Sequence, residues 1–181
     1  MQREIGITFV VVTHDQEEAL VMSDRICVLD RGRIAQLGTP SEVYDRPDNR
    51  FAARFLGQMN LIEGTISGNR LTADGLGSFL GAPAGTIADG PGCLAIRPER
   101  ITLARDGEGL AGTVTEIAYH GAGQSVHLEL ANGSSLRIDR TASDVDRLPL
   151  GPGDSATARF DPVHSRLLAG GPDGTPPQSA T

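Results

Sequence analysis

The chain has 181 residues, a formal net charge of −7 and 16 basic side chains, every one of them arginine. An acidic balance without a basic run argues against a nucleic-acid partner. The absence of lysine excludes a phosphate-binding P-loop, whose lysine reaches the β- and γ-phosphates. No apolar run approaches the ~20 residues that span a bilayer.

Residues 7–12 are a run of β-branched and aromatic side chains, apolar at every position but Thr8. Without polar alternation they predict a strand covered on both faces, the pattern of a parallel sheet. The chain enters this strand almost at once, with no charged leader or cleavage site, so no secretory signal is expected. A polar junction follows. Asp15 is expected as an N-cap, with Glu18 three residues on as an acidic capping box, for a short helix over residues 16–22. His14 then falls at the carboxyl end of a buried strand beside a helix N-terminus, the edge at which open α/β sheets bind ligands. Taken alone, a lone histidine there is a capping or packing residue.

A hairpin is expected next, from strands at 25–29 and 33–37 about a turn at Asp30-Arg31-Gly32, with Gly32 available for positive φ. Thr39-Pro40-Ser41-Glu42 joins a Thr cap, a Pro at the first helical position and a Glu at the third, a strong helix start. Asp48 is expected to cap a further helix over 49–56, with Phe51 and Phe55 on one face as core packing. From Asn60 the helical period disappears and short strands alternate with Gly, Asn, Asp and Pro turns. Strands are expected at 61–65, 70–72, 78–80, 93–97, 101–103, 112–119, 155–160 and 166–168. The best-specified hairpin runs from Gln124 to Ile138 about Asn132-Gly133, read as a two-residue turn. Strands of this number and length suggest a small barrel of OB type. Residues 170–181 are low in apolar content and are expected to be a disordered tail.

Few side chains cluster in a way that suggests chemistry. His14 and Glu18 have a spacing that could share a helix face, but no second histidine accompanies them, so no metal site is expected. Arg97-Pro98-Glu99 could hold an anion, since Arg offers a fixed fork of donors. A surface or inter-strand ion pair beside a strand-ending proline is the simpler reading. His120, His127 and His164 are scattered. Cys27 and Cys93 are expected as free thiols of a reducing compartment. With 4% aromatic residues, the barrel lacks the stacking platform and basic groove that single-stranded nucleic acid requires.

Thr13-His14-Asp15-Gln16-Glu17-Glu18-Ala19-Leu20, followed by Met22-Ser23-Asp24-Arg25-Ile26, closely resembles the switch-histidine segment of ABC-transporter ATPases. It is most similar to the import ATPases for polyamines, ferric iron or sugars. Gly38-Thr39-Pro40-Ser41-Glu42-Val43-Tyr44, with Phe51 and Phe55-Leu56-Gly57, resembles the end of the same ATPase domain. Leu94-Ala95-Ile96-Arg97-Pro98-Glu99, the strand at 112–119, His120-Gly121 and the Asn132-Gly133 hairpin resemble the transport-associated OB (TOBE) domain appended to those enzymes. The resemblance implies an α/β remnant of a P-loop ATPase domain over residues 1–58, then an all-β OB-like barrel domain over 59–169. It gives His14 the role of contacting the γ-phosphate of ATP and helping to hold the attacking water. It further implies ATP and Mg2+ as cofactors of a complete subunit, a second copy as homodimer partner, and permease transmembrane subunits. Location would be cytoplasmic, peripheral on the inner face of the membrane. Lacking P-loop, magnesium-site and signature motifs, the chain is expected to be the C-terminal portion of such a subunit, from a truncated reading frame or one needing a partner. No ATP hydrolysis is expected from it alone. The alternative is a freestanding OB-type regulatory or small-anion-binding module.

Overall fold

The computed structural model describes residues 8–170; residues 1–7, and all of the tail expected at 170–181 but Gly170, lie outside them, and Gly170 itself is held by hydrogen bonds to Arg50 and Pro91. Residues 8–13 form no strand, and Phe9, Val10, Val11 and Val12 are 61%, 88%, 74% and 94% exposed. The expected buried parallel strand is therefore corrected. A strand covered on both faces needs flanking strands to take its N–H and C=O groups, and none of the described residues offers them. Among the described residues no α/β sheet is formed in this part of the chain; the ladder seen there is antiparallel and two-stranded.

Helix α1 (Gln16–Met22) is capped by Asp15, whose Oδ1 accepts the backbone N–H groups of Glu17 and Glu18, both at 3.0 Å. The reciprocal half of the expected box is relayed through a neighbour. Thr13 Oγ1 accepts the Asp15 N–H and donates its own proton to Glu18, each at 3.0 Å. Strands β1 (Ile26–Asp30) and β2 (Arg33–Gly38) pair through Asp30 and Arg33, leaving a two-residue turn. Arg31 and Gly32 have φ of 48° and 79°, the positive pair that matches the twist of a tight hairpin. Helix α2 (Pro40–Asp45) starts on the full Thr39–Glu42 capping box. Helix α3 (Arg50–Phe55) is capped by Asn49 rather than Asp48, through Asn49 Oδ1 and the Ala52 N–H. Phe51 and Phe55 stack at 5.6 Å, yet each is 37% exposed, so they form a surface pair and not the expected core packing. The core of this part is small: Ile26, Val28, Val43 and Leu56.

The remainder is built from strands β3 (Asn60–Ser67), β4 (Arg70–Ala73), β5 (Gly77–Leu80), β6 (Ala82–Pro83), β7 (Gly90–Ile96), β8 (Ile101–Ala104), β9 (Leu110–His120), β10 (Gly123–Leu130), β11 (Ser135–Thr141), β12 (Ser155–Phe160) and β13 (Ser165–Ala169). They make a six-stranded sheet, β5-β4-β3-β7-β13-β6, and a five-stranded sheet, β11-β10-β9-β12-β8. One apolar core lies between the two. Ile62, Leu94 and Leu167 enter it from the first sheet, Val126, Leu128 and Ile138 from the second. Each fully buried branched side chain of this kind stabilises by ~1.5–3 kcal/mol. The alternation at Val126, Leu128 and Leu130, answered by Leu136 and Ile138, holds as expected because one face of that hairpin is buried and the other wet. The Asn60 side chain then bridges the sheets: its amide donates to the Arg137 C=O and its Oδ1 accepts the Arg137 N–H, both at 2.8 Å.

Two local details depart from expectation. The β10–β11 connection is not a two-residue turn. Gly133 alone takes positive φ, at 80°, and its N–H bonds Leu130 C=O while the Leu130 N–H bonds Ser134 C=O. Asn132 stays at negative φ because its Oδ1 is used to accept the Ser134 N–H and hydroxyl, an Asx-type turn. A helix unforeseen from the sequence, α4 (Ala142–Arg147), follows β11 on a Thr141–Asp144 capping box. The Thr141 hydroxyl and N–H, donating to it at 2.6 and 3.2 Å, hold the Asp144 carboxyl below its usual range.

Candidate functional site

His14 is exposed on the bend between the extended residues 8–13 and α1. Backbone geometry there is fixed by Asp15 on one side and Thr13 on the other; the ring itself projects to solvent. Glu17 and Glu18 lie in the first turn of α1, where negative charge favours the positive end of the helix. Among the described residues no cluster of three or more His, Cys, Asp or Glu side chains could hold a metal ion. No side chain of α1 is buried; only Ala19 and Leu20 touch the small core beneath it.

The most elaborate polar arrangement lies a short distance away, where α2 and α3 meet the barrel, and Arg97 is its centre. Arg97 is 2% exposed, so the surface ion pair expected for Arg97-Pro98-Glu99 is corrected. Its Nε and Nη2 fork onto the Tyr44 C=O at 3.1 and 2.8 Å, and Nη1 donates to the Gln58 C=O at 2.9 Å. The guanidinium carbon stands 3.9 Å from the centre of the Tyr44 ring, within cation–π range. Tyr44 in turn donates its phenol proton to Glu99 at 2.9 Å. Burial works against the Arg97 charge and lowers its pKa, while burial and the Glu99 hydrogen bond raise that of the Tyr44 phenol. An Arg100–Asp45 pair at 3.2 Å, with both side chains 40% exposed, closes the rim; at that exposure it contributes little. A crevice of about 330 Å3 lies alongside, lined by Glu42, Asp45, Arg46, Arg100 and His164 among others.

A second clamp joins α3 to the six-stranded sheet. Arg50, 4% exposed, donates to both Glu63 carboxylate oxygens at 2.6 and 2.8 Å and to the Gly170 C=O at 2.6 Å. Ala53 packs with Cys93, Ala95 and Leu168 under the same helix. Burial pushes the Cys93 thiol up to about 12, whereas Cys27 is exposed. Thiolate, not thiol, is the reactive species. A maleimide or disulfide reagent at pH 7.5 should therefore modify one thiol of the native chain, mapped to Cys27 by peptide mass, and the second only after denaturation. Fast modification of both would contradict the buried position of Cys93.

The TOBE domain model matches residues 94–168. The chain is 40% identical over 179 residues to the spermidine/putrescine import ATP-binding protein PotA of Rubrobacter xylanophilus, covering 94% of this chain and 47% of that protein. It is 43% identical over 150 residues to PotA 1 of Pseudomonas aeruginosa (76% and 40%) and 38% identical over 181 residues to PotA of Thermobifida fusca (94% and 47%). The chain thus spans about half the length of the curated relatives it matches. Among solved structures, the cytoplasmic molybdate-binding protein ModG superimposes with a TM-score of 0.51 at 22% identity, over 61% of this chain and 96% of ModG. That likeness supports the expected OB-like all-β fold.

Proposed function

The chain carries a TOBE domain and corresponds to the C-terminal part of an ABC-importer ATP-binding subunit, and from that premise we propose that it completes an ATPase coupling ATP hydrolysis to polyamine uptake. Residues 1–58 are the end of the nucleotide-binding domain, an α/β remnant, and residues 59–169 the OB-like accessory domain. In the complete subunit His14 contacts the γ-phosphate and helps to hold the attacking water. ATP and Mg2+ are bound by a P-loop and acidic residues outside this sequence, which has no lysine to serve the first. The partners are a second copy of the subunit and the permease transmembrane subunits, which hold it at the inner face of the membrane.

One structural observation supports this reading above the rest. Phe9, Val10, Val11 and Val12 are consecutive, apolar and exposed, and Val21 and Met22 of α1 are exposed as well. A run of exposed apolar side chains of this kind marks a surface that another body covers, and the unalternated β-branched pattern suits a sheet as that cover. The remainder of an ATPase domain would supply it.

The test is a chimera in which the N-terminal half of the Rubrobacter relative is joined in frame to this chain. ATP turnover, together with protection of residues 8–13 from hydrogen exchange, is the expected result. A chimera that binds no nucleotide and leaves residues 8–13 in fast exchange, while the unfused chain melts cooperatively, would instead favour the freestanding regulatory or small-anion-binding module.

A further inference from the structure

We infer that Gln16 and Arg97 are positioning residues that tie the His14 loop to the barrel through the consecutive residues Gly57 and Gln58. The inference rests on the role proposed for His14 in the complete subunit, and extends it by naming what sets the place of that loop.

The tether begins two residues beyond His14. Gln16, the first residue of α1, accepts the Gly57 N–H on its Oε1 at 2.9 Å, a contact across 41 positions of sequence. Gly57 ends α3 with φ of 78°, a left-handed conformation that a residue with a Cβ adopts only under strain. Its backbone also lies against the barrel, since a Cβ placed there would stand 3.7 Å from both Arg97 Nη1 and the Tyr44 ring. The next carbonyl, that of Gln58, accepts from Arg97 Nη1 at 2.9 Å. Arg97 itself follows directly on β7, whose Leu94 and Ile96 are fully buried in the barrel core. Two hydrogen bonds and the Gly57–Gln58 peptide link therefore separate the first turn of α1 from Arg97, the residue next to the buried strand β7.

The wiring matters because α1 has little else to hold it. None of its residues is buried, so its angle is set by polar contacts at its start and by Ala19 and Leu20 resting on the small core. Arg97 is held from three directions by Tyr44 and Gln58, and a buried guanidinium cannot give up those carbonyls without leaving its charge unpaired in the interior. A displacement of the barrel relative to α2 and α3 is consequently passed to Gly57, then to Gln16, and so to the histidine two residues away. Whatever loads the OB-like domain would be felt at His14 as a change of position.

Hydrogen exchange on the 181-residue chain tests the tether. Gln16→Ala and Arg97→Gln should each speed exchange of the Glu17, Glu18 and Ala19 amides about fivefold, the loss of one ordinary hydrogen bond. Gln16→Glu, which keeps an acceptor, should restore the slow rate. The double variant should be no faster than the faster single one, because both lie on one path. An Arg97→Gln chain that melts cooperatively yet leaves α1 at the parental rate overturns the inference, as do additive effects. Should Arg97→Gln fail to fold, the half-buried Gln16→Ala decides: the Arg97 Nε–H resonance must shift, and an unmoved resonance overturns it. In the chimeric subunit, Gln16→Ala should lower kcat about fivefold at constant KM, with rescue by Gln16→Glu. Unchanged kcat, in a chimera that His14→Ala inactivates, sinks the tether alone. Full activity of His14→Ala sinks the reading beneath it.

Discussion

His14→Ala in the complete subunit is expected to lower ATP turnover by two orders of magnitude or more while leaving nucleotide binding near its parental value. Phosphoryl transfer asks a protein chiefly for positioning and charge stabilisation, and a placed proton acceptor or donor is worth ~10²–10⁴ in rate. Ground-state affinity, in contrast, would come chiefly from the P-loop and the metal, to which the proposed His14 contact adds one hydrogen bond among many. The loss should therefore appear in kcat and not in KM, the signature of an interaction made in the transition state. His14 is exposed, while the backbone around it is held by Asp15 and Thr13, so the substitution removes a ring without disturbing α1. A thermal melt of the variant should match that of the parent. His14→Gln retains a hydrogen-bonding side chain and should recover a fraction of the lost rate. Undiminished hydrolysis by His14→Ala would remove the histidine from the mechanism.

The sequence made some of this legible and hid the rest for reasons that can be stated residue by residue. Thr39 to Glu42 announced α2 because capping is a local transaction, complete within four residues. Val126 to Ile138 announced β10 and β11 because a half-buried ladder imposes a period of two. The same logic failed for α4, which buries no residue and so carries no apolar stripe; its one signal was the Thr141-to-Asp144 spacing. It failed differently at Phe9 to Val12, where composition reports the environment a segment suits and not whether the chain provides it. Arg97 was misread because its neighbours Pro98 and Glu99 invited a local pairing. The groups it binds, Tyr44 and Gln58, lie 53 and 39 positions away, beyond any spacing rule. Gln16 escaped for the same reason: nothing in a polar residue at a helix start foretells a partner at Gly57. His14 is the converse case. Its place at a helix start was readable, whereas the role proposed for it depends on a nucleotide that other residues would hold.

Arg50→Ala should be the most damaging single truncation at the junction between α3 and the barrel, at about 3 kcal/mol, the usual cost of removing one partner of a buried ionic arrangement. The side chain is 4% exposed and meets Glu63 and Gly170 through three hydrogen bonds. Burial is the largest single influence and opposes its charge, but the hydrogen bonds it donates to Glu63 and the negative charge around it together leave the guanidinium pKa raised. Glu63, 43% exposed, would be resolvated after the truncation, so the loss falls mainly on the Gly170 carbonyl and on the space beneath α3. At ~2–4 °C per kcal/mol for a chain of this size, the melting temperature should fall by roughly 6–12 °C. Glu63→Gln is the control. Its amide oxygen still accepts one bond from Arg50 and the Gly170 bond survives, while one arm of the fork and the charge assistance are lost, so ~1–2 kcal/mol is expected. A melting temperature within 2 °C of the parent for Arg50→Ala (under ~1 kcal/mol) would mean that Ala53, packed on Cys93, Ala95 and Leu168, holds α3 without the clamp. Loss of the clamp should also be felt beyond α3. The helix delivers Gly57 to Gln16 and Gln58 to Arg97, so a loosened α3 should speed exchange in α1 even though Arg50 touches neither residue.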